Sequence, residues 1–259
     1  MKRYIKVWLI MSKNSFLRDF NSKLGLFLLL LGKFVRFVIF AVFLFYLLSG
    51  IGSLAGYSRE QVIFIFLTFN LLDILSQFLL REVYRFRPQI ISGDFDLVLV
   101  KPIKPLFRAA FGGADFIDFL TIPPLFVAIV FFGNELNPSV FLVLAYIILV
   151  INGLILAISF HILILAFAVL TLELDSVLWL FRELLNLGKI PLEVYRQPLR
   201  TALVYLLPVA IMIAVPAKTL MGLSTFKDIL VSVFVTIIFS LASLKFWDYS
   251  LSRYTSASS

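Results

Sequence analysis

Three polar residues, Asn70, Asp73 and Gln77, interrupt an apolar run at spacings of three and four. On a helix they share one face. A carboxylate flanked by two amides in hydrocarbon has two uses. It can line a path for a polar solute, because intramembrane ionisable groups usually face a bundle interior or a cavity. It can also bond to a neighbouring helix, the simpler use of such residues. The chain's one histidine, His161, sits midway along another apolar run. An imidazole titrates near neutrality and suits a proton relay. No carboxylate lies one turn away, which favours a packed, hydrogen-bonded histidine. Asp115 and Asp118 open a predicted helix, where the helix dipole favours carboxylates. Capping, and pairing with Lys101, Lys104 or Arg108, accounts for them without a catalytic dyad.

Other chemistry is missing from the sequence. There is no cysteine, so no disulfide, thiolate metal site or thiol nucleophile is available. No Gly-x-x-x-x-Gly-Lys-Ser/Thr loop occurs, and the pair Gly112-Gly113 has no lysine after it. No metal ligand set and no bound cofactor are expected.

The elements that must hold these residues follow from composition. The 259 residues are 61% hydrophobic and 15% charged, with 29 phenylalanines. Soluble domains carry about 25% charged residues. Residues 37–58, 119–134, 136–172, 201–217 and 229–244 contain no Asp, Glu, Lys or Arg. A bilayer core of about 30 Å takes about 20 apolar residues per helix. Continuous runs of this kind exclude an alternating β-barrel. The expected fold is an all-α integral membrane domain over 1–259, with helices near 34–54, 60–80, 115–133, 139–171, 201–217 and 228–247. Pro123-Pro124 should kink the third. The run 139–171 fits one long helix or a hairpin turning at Asn152-Gly153. Residues 1–23 are basic and moderately amphipathic, and suit an interfacial helix. No cleaved signal peptide is expected there.

Basic residues orient the spans. The positive-inside rule counts Lys and Arg near the helix ends. Segment 1–36 has eight, 81–108 six, 172–200 four, and the C-terminal end has Lys245 and Arg253. Six transmembrane helices with both termini cytoplasmic put 20 of 23 basic residues inside. A hairpin at Asn152 moves six to the wrong side, so six spans are predicted. The segments 81–110 and 172–200 then form cytoplasmic loops. The second, with Trp179 and Phe181 among mixed charges, is expected as a surface helix. The net charge of +8 is explained by loop bias rather than by nucleic acid.

The loop after the second helix carries REVYRFRPQIISGDFDLVLVKPIKPLF, from Arg81 to Phe107. Its Arg81-Glu82 start, Gly93-Asp94, Asp96-Leu97, Leu99-Val100 and Lys101-Pro102-Ile103 resemble permease subunits of ABC-2 type exporters. The closest branch is the ABC-2 family transporter protein group. Phe95 stands where a leucine is more common, and Gly93-Asp94 replaces a Gly-Thr pair.

The resemblance implies a membrane-spanning subunit that is not itself an enzyme. ATP and Mg would sit on a separate ABC ATPase dimer, docked through a coupling helix in this loop. Tyr84, Phe86, Gly93, Asp94, Phe95, Asp96 and Leu97 are the implied docking residues. A second permease chain, identical or related, would face this one, with lipid around both in a bacterial or archaeal plasma membrane. Asn70, Asp73, Gln77 and His161 would line the translocation path or bond between helices. Two rival classes are a non-transporting membrane scaffold or assembly factor, and a lipid-modifying enzyme. The enzyme would need convergent acidic, His or Ser groups, and the sequence scatters them.

Overall fold

The computed structural model describes residues 2–20, 23–51, 53–206 and 209–255. The described chain is helical, with no strand among the named elements. Five helices are long and apolar enough to cross a membrane: Lys23–Tyr46, Arg59–Ile91, Phe116–Glu135, Val140–Thr171 and Phe226–Ser252. The chain is a multi-pass helical membrane protein.

Helix α1 (Lys2–Phe20) is followed by α2 (Lys23–Ile51), α3 (Arg59–Leu80) and three short helices, α4 (Phe86–Ile91), α5 (Asp94–Leu99) and α6 (Pro105–Ala110). Then come α7 (Phe116–Glu135), α8 (Val140–Thr171), α9 (Asp175–Asn186), the turn α10 (Leu199–Thr201), α11 (Val215–Leu220) and α12 (Phe226–Ser252). Local chemistry fixes the helix starts. Ser58 accepts from Gln61 N while Gln61 accepts from Ser58 N. Thr225 and Asp228 make the same reciprocal cap for α12, and each cap satisfies two orphan donors. Ser139 caps α8, and Asp115 caps α7.

The run 139–171 is one helix, not a hairpin. Gly153 has another role: a Cβ there would lie 2.7 Å from the Met212 carbonyl oxygen. Asn152 donates to Ser232 Oγ at 2.9 Å, and Ser159 meets Ser240 at 2.9 Å. These pairs tie α8 to α12. Thr68 and Tyr146 join α3 to α8 at 3.3 Å. Polar contacts of this kind hold membrane helices together where lipid gives no hydrophobic drive.

The two ends of the bundle differ. One end carries the segment 81–115, here the loop end. Described residues near both ends of the chain pack there. Tyr4 contacts Phe107, with ring centroids 4.8 Å apart, and Ala114 N donates to Ser12 Oγ at 3.0 Å. At the other terminus Phe95 meets Tyr254 at 5.3 Å. Burial and the Asp96 carboxylate together push the Tyr254 phenol up to about 12. Helix α1 therefore packs on the protein through Trp8, Ser12 and Phe16, while Ile5, Leu9 and Leu17 stay exposed.

The structure corrects two expectations. The predicted helix at 201–217 is not a regular span: 202–206 and 210–214 are wound as π-helix. Nor does 172–200 lie on one side as a loop. Asp175 pairs with Arg87 at 2.9 Å, at the loop end. Phe181 packs on His161 at 5.2 Å. Lys189 lies over Phe69, halfway along α3, at 5.4 Å. Glu193 reaches Lys218 at 2.5 Å, and Lys218 lies over Tyr57, which precedes α3, at 5.9 Å. A helix of 22 residues is about 33 Å long, so Tyr57 and Arg81 mark opposite ends. The segment 175–193 runs the length of the bundle.

This path is checked by cysteine accessibility. The chain has no native cysteine, so single replacements at Ser92, Asn137 and Arg196 report cleanly. An impermeant thiol reagent on intact cells is expected to label 137 and 196 alike and to spare 92. Labelling of 196 only after permeabilisation, together with 92, overturns the crossing.

Candidate functional site

A cavity of about 1000 Å³ opens between α2, α3, α7 and the ascending segment after Leu174. Asn70, Asp73 and Gln77 all line it, so the shared helical face read from the sequence points into a cavity. Asn70 donates to Phe66 O of its own helix at 2.7 Å. Gln77 is buried. Asp73 makes no ion pair within 4 Å among the described residues. Four cations share the lining: Lys33, Arg36, Arg182 and Lys189. The rest is mainly apolar, with Phe34, Phe37, Phe40, Phe43, Phe66 and Phe69 prominent.

His161 does not line the cavity. It is 1% exposed, and its Nδ1 lies 2.8 Å from Ala157 O. The carbonyl can only accept, so Nδ1 carries the proton and Nε2 accepts from the Tyr84 hydroxyl at 3.5 Å. It is a packed core histidine that bonds α8 to the loop segment.

Below the cavity, at the loop end, lies a set of ion pairs whose carboxylates are buried and whose cations are partly exposed. Glu82, 6% exposed, accepts from Arg108 at 2.6 Å and from Gln89 at 2.8 Å. Arg81 pairs with Asp115 at 3.0 Å. Lys33 pairs with the fully buried Asp118. The partners expected for Asp115 and Asp118, namely Lys101, Lys104 and Arg108, are thus replaced by Arg81 and Lys33. Arg108 goes instead to Glu82, which the sequence marked only as part of the Arg81-Glu82 motif start and not as an ion-pair partner. Gly112 seals this contact: a Cβ there would lie 2.1 Å from Arg108 Nη1 and 2.3 Å from Glu82 Cγ.

The segment 81–110 folds against this base. Gly93, at φ 77°, turns α4 into α5, a conformation glycine enters cheaply. Ser92 Oγ donates to Asp94 at 2.8 Å beside it. Three implied docking residues are corrected here. Phe86 and Phe95 are both 0% exposed and meet edge to face at 5.0 Å. Tyr84 is turned inward against His161, with Arg81 and Arg182 over its ring. These aromatics anchor the hairpin to the permease and are not free for a partner. Leu97 remains exposed at 59%, and Ile91 and Val100 join it at 55% and 81%. Gly93 and Asp94 sit at the turn beside them.

These features define a class: a helical membrane protein with a cavity that carries a polar face and opens between its helices, and a compact, surface-exposed helical hairpin at one end. The chain belongs to the ABC-2 family transporter protein family, which matches residues 7–258. It is therefore a membrane permease component of an ABC transporter. Members of this family form the membrane passage, and the transporter they serve includes an ATPase. No curated protein and no solved structure matches the chain.

The base gives a direct test. Gly112→Ala drives a methyl into the Glu82–Arg108 pair, and overpacking costs about 1–3 kcal/mol. The melting midpoint in detergent is expected to fall by several degrees. Gly50→Ala, with nothing within 4 Å, should leave it level or slightly higher. Equal midpoints for both variants would show that the pair tolerates displacement.

Proposed function

We propose that this chain is the permease of an ABC-2 exporter, and that a separate ATPase drives it through the hairpin at 86–100. The observation that carries the reading is the hairpin's division into two faces. Phe86, Ile90, Phe95 and Val98 are buried against the bundle. Ile91, Leu97 and Val100 are exposed on the same short element. Exposed large apolar groups clustered at one end of the bundle mark an interaction site. An ATPase cleft that receives them would push on a body already locked to α3 and α12. Asp94 would set register by charge rather than add much affinity.

The cavity is the proposed translocation path, with Asn70, Asp73 and Gln77 as its polar wall. A second permease chain would complete the passage across the exposed side of α2. The loop end would face the cytoplasm, with both termini, in keeping with its basic residues. The location is then a bacterial or archaeal plasma membrane. ATP and Mg would bind only the partner.

Pull-down of a co-expressed ATPase, beside a transport assay, tests this. Leu97→Asp is expected to leave the permease folded and to cut ATPase recovery at least tenfold. Gly93→Val forces a β-branched residue into left-handed backbone, at roughly 1–2 kcal/mol, and should uncouple hydrolysis from transport. Phe95→Asp should instead reduce the yield of folded permease, because it buries a charge without a partner. Normal ATPase recovery and transport with Leu97→Asp and Gly93→Val would return the hairpin to a merely solvated loop.

A further inference from the structure

The cavity has an unbalanced charge. Lys33, Arg36, Arg182 and Lys189 line it, against the single lining carboxylate of Asp73. Asp118, behind Lys33, offsets that lysine. Arg36, Arg182 and Lys189 have no carboxylate within 4 Å among the described residues. Arg182 has the ring of Tyr84 at 5.7 Å. Lys189 has the rings of Phe40 at 5.6 Å and Phe69 at 5.4 Å.

The depth of Lys189 matters most. Phe69 lies ten residues from the start of α3 at Arg59, which is about 15 Å along the axis. A lysine at that depth does not reach an interface by extending its stem, as residues near helix ends do. Charges within a membrane protein are costly and usually face one another or a functional cavity. Here Asp73 and Glu183 act on Lys189 only from beyond ion-pair distance, three cations face one lining carboxylate, and a roomy cavity adjoins them. Its other wall is a row of phenylalanines on α2 and α3 with no charge to offer.

We infer that the cavity binds an anionic amphiphile, with its acidic group between Arg182, Lys189 and Arg36 and its apolar body along the phenylalanines. This rests on the permease reading and names the class of cargo that the path accepts. The chemistry of the wall selects both halves. A free inorganic anion would leave the phenylalanines facing water, and a neutral lipid would leave the cations unpaired. A cationic amphiphile is disfavoured by like charge. Asn70 and Gln77 add amide donors for the remaining oxygens of the acidic group.

Equilibrium binding to the purified full chain in a neutral-headgroup detergent tests the inference. The probes are a dansyl-labelled alkyl phosphate and a dansyl-labelled alkyl trimethylammonium of equal chain length. The phosphate probe is expected to bind at least tenfold more tightly. The double variant Arg182→Gln, Lys189→Gln should lose at least tenfold for that probe, with its melting midpoint retained. Ala128→Trp, which fills the apolar part, should weaken both probes. Lys227→Gln, outside the cavity, should change neither.

Equal affinity for the two probes, or an unchanged affinity in the folded double variant, overturns the inference. So does full displacement of the probe by millimolar inorganic phosphate, which would reveal a site for the headgroup alone. In nanodiscs, displacement by an anionic phospholipid would identify the bilayer as the source of the ligand. Retention would identify a soluble amphiphile, and either result keeps the shared chemistry. ATPase recovery is measured separately, so a failed cargo assignment stays distinct from a failed permease reading.

Discussion

A charge left without a partner in hydrocarbon is the constraint on which this structure turns. It sorts the chain's ionisable residues into two groups. The first is paired at the ends of the bundle, the cations partly exposed: Glu82 with Arg108, Arg81 with Asp115, Lys33 with Asp118, and Glu193 with Lys218. Removing one member would leave a shielded charge without its partner, so these contacts fix which segments meet. The second group, Asp73, Arg36, Arg182 and Lys189, gathers round one cavity. The same cost that enforces pairing in the first group makes the second informative, because no ion pair within 4 Å answers for it among the described residues.

The paired set also explains why so much of the chain converges on the loop end. Arg81 follows α3, Asp115 caps α7, Lys33 belongs to α2 and Arg108 to α6. One layer of charge thus gathers four helices at a single level. Helix α1 closes over it through Ser12 and Ser15, to which Ala114 N and Arg85 donate. Gly112 permits the approach of Glu82 and Arg108, since no side chain fits between them. The far end is built differently, from reciprocal helix caps and the Glu193–Lys218 clamp.

Much of this was legible in the sequence, and the failures share a cause. Long charge-free runs announced much of α2, α7, α8 and α12, and the spacing of Asn70, Asp73 and Gln77 announced a shared polar face, which lines the cavity. The segment 175–193 was missed because it carries Asp175, Arg182, Glu183, Lys189 and Glu193 within nineteen residues. Charge counting treats such a stretch as a loop. In the fold, two of those charges face the cavity, one is clamped at the far end, and Phe181 and Leu185 supply the buried side. A cavity-lining helix need not be apolar all round, so hydropathy undervalues it. The docking aromatics failed for a related reason. Motif position placed Tyr84, Phe86 and Phe95 on the loop, but only packing decides which way a ring turns.

The inward turn of those rings changes what the hairpin can do in the proposed coupling. A flexible loop with outward aromatics would bind a partner tightly and transmit little, since its own bending would absorb the motion. Here Phe95 is wedged between Phe86 and Tyr254, and Tyr84 is wedged against His161 of α8 and beneath Arg182 of α9. Close-packed interiors are not continuously deformable; they transmit strain. In the proposed coupling, a push on Leu97 or Val100 would therefore arrive at α8, α9 and the segment after α12 as displacement of whole elements rather than as local bending. Arg182 lies on that route and also lines the cavity. A single residue thus connects the surface that a partner would push to the wall that a cargo would touch. In this chain the aromatic packing that removed three residues from the partner's reach is what would let the remaining exposed ones act at a distance.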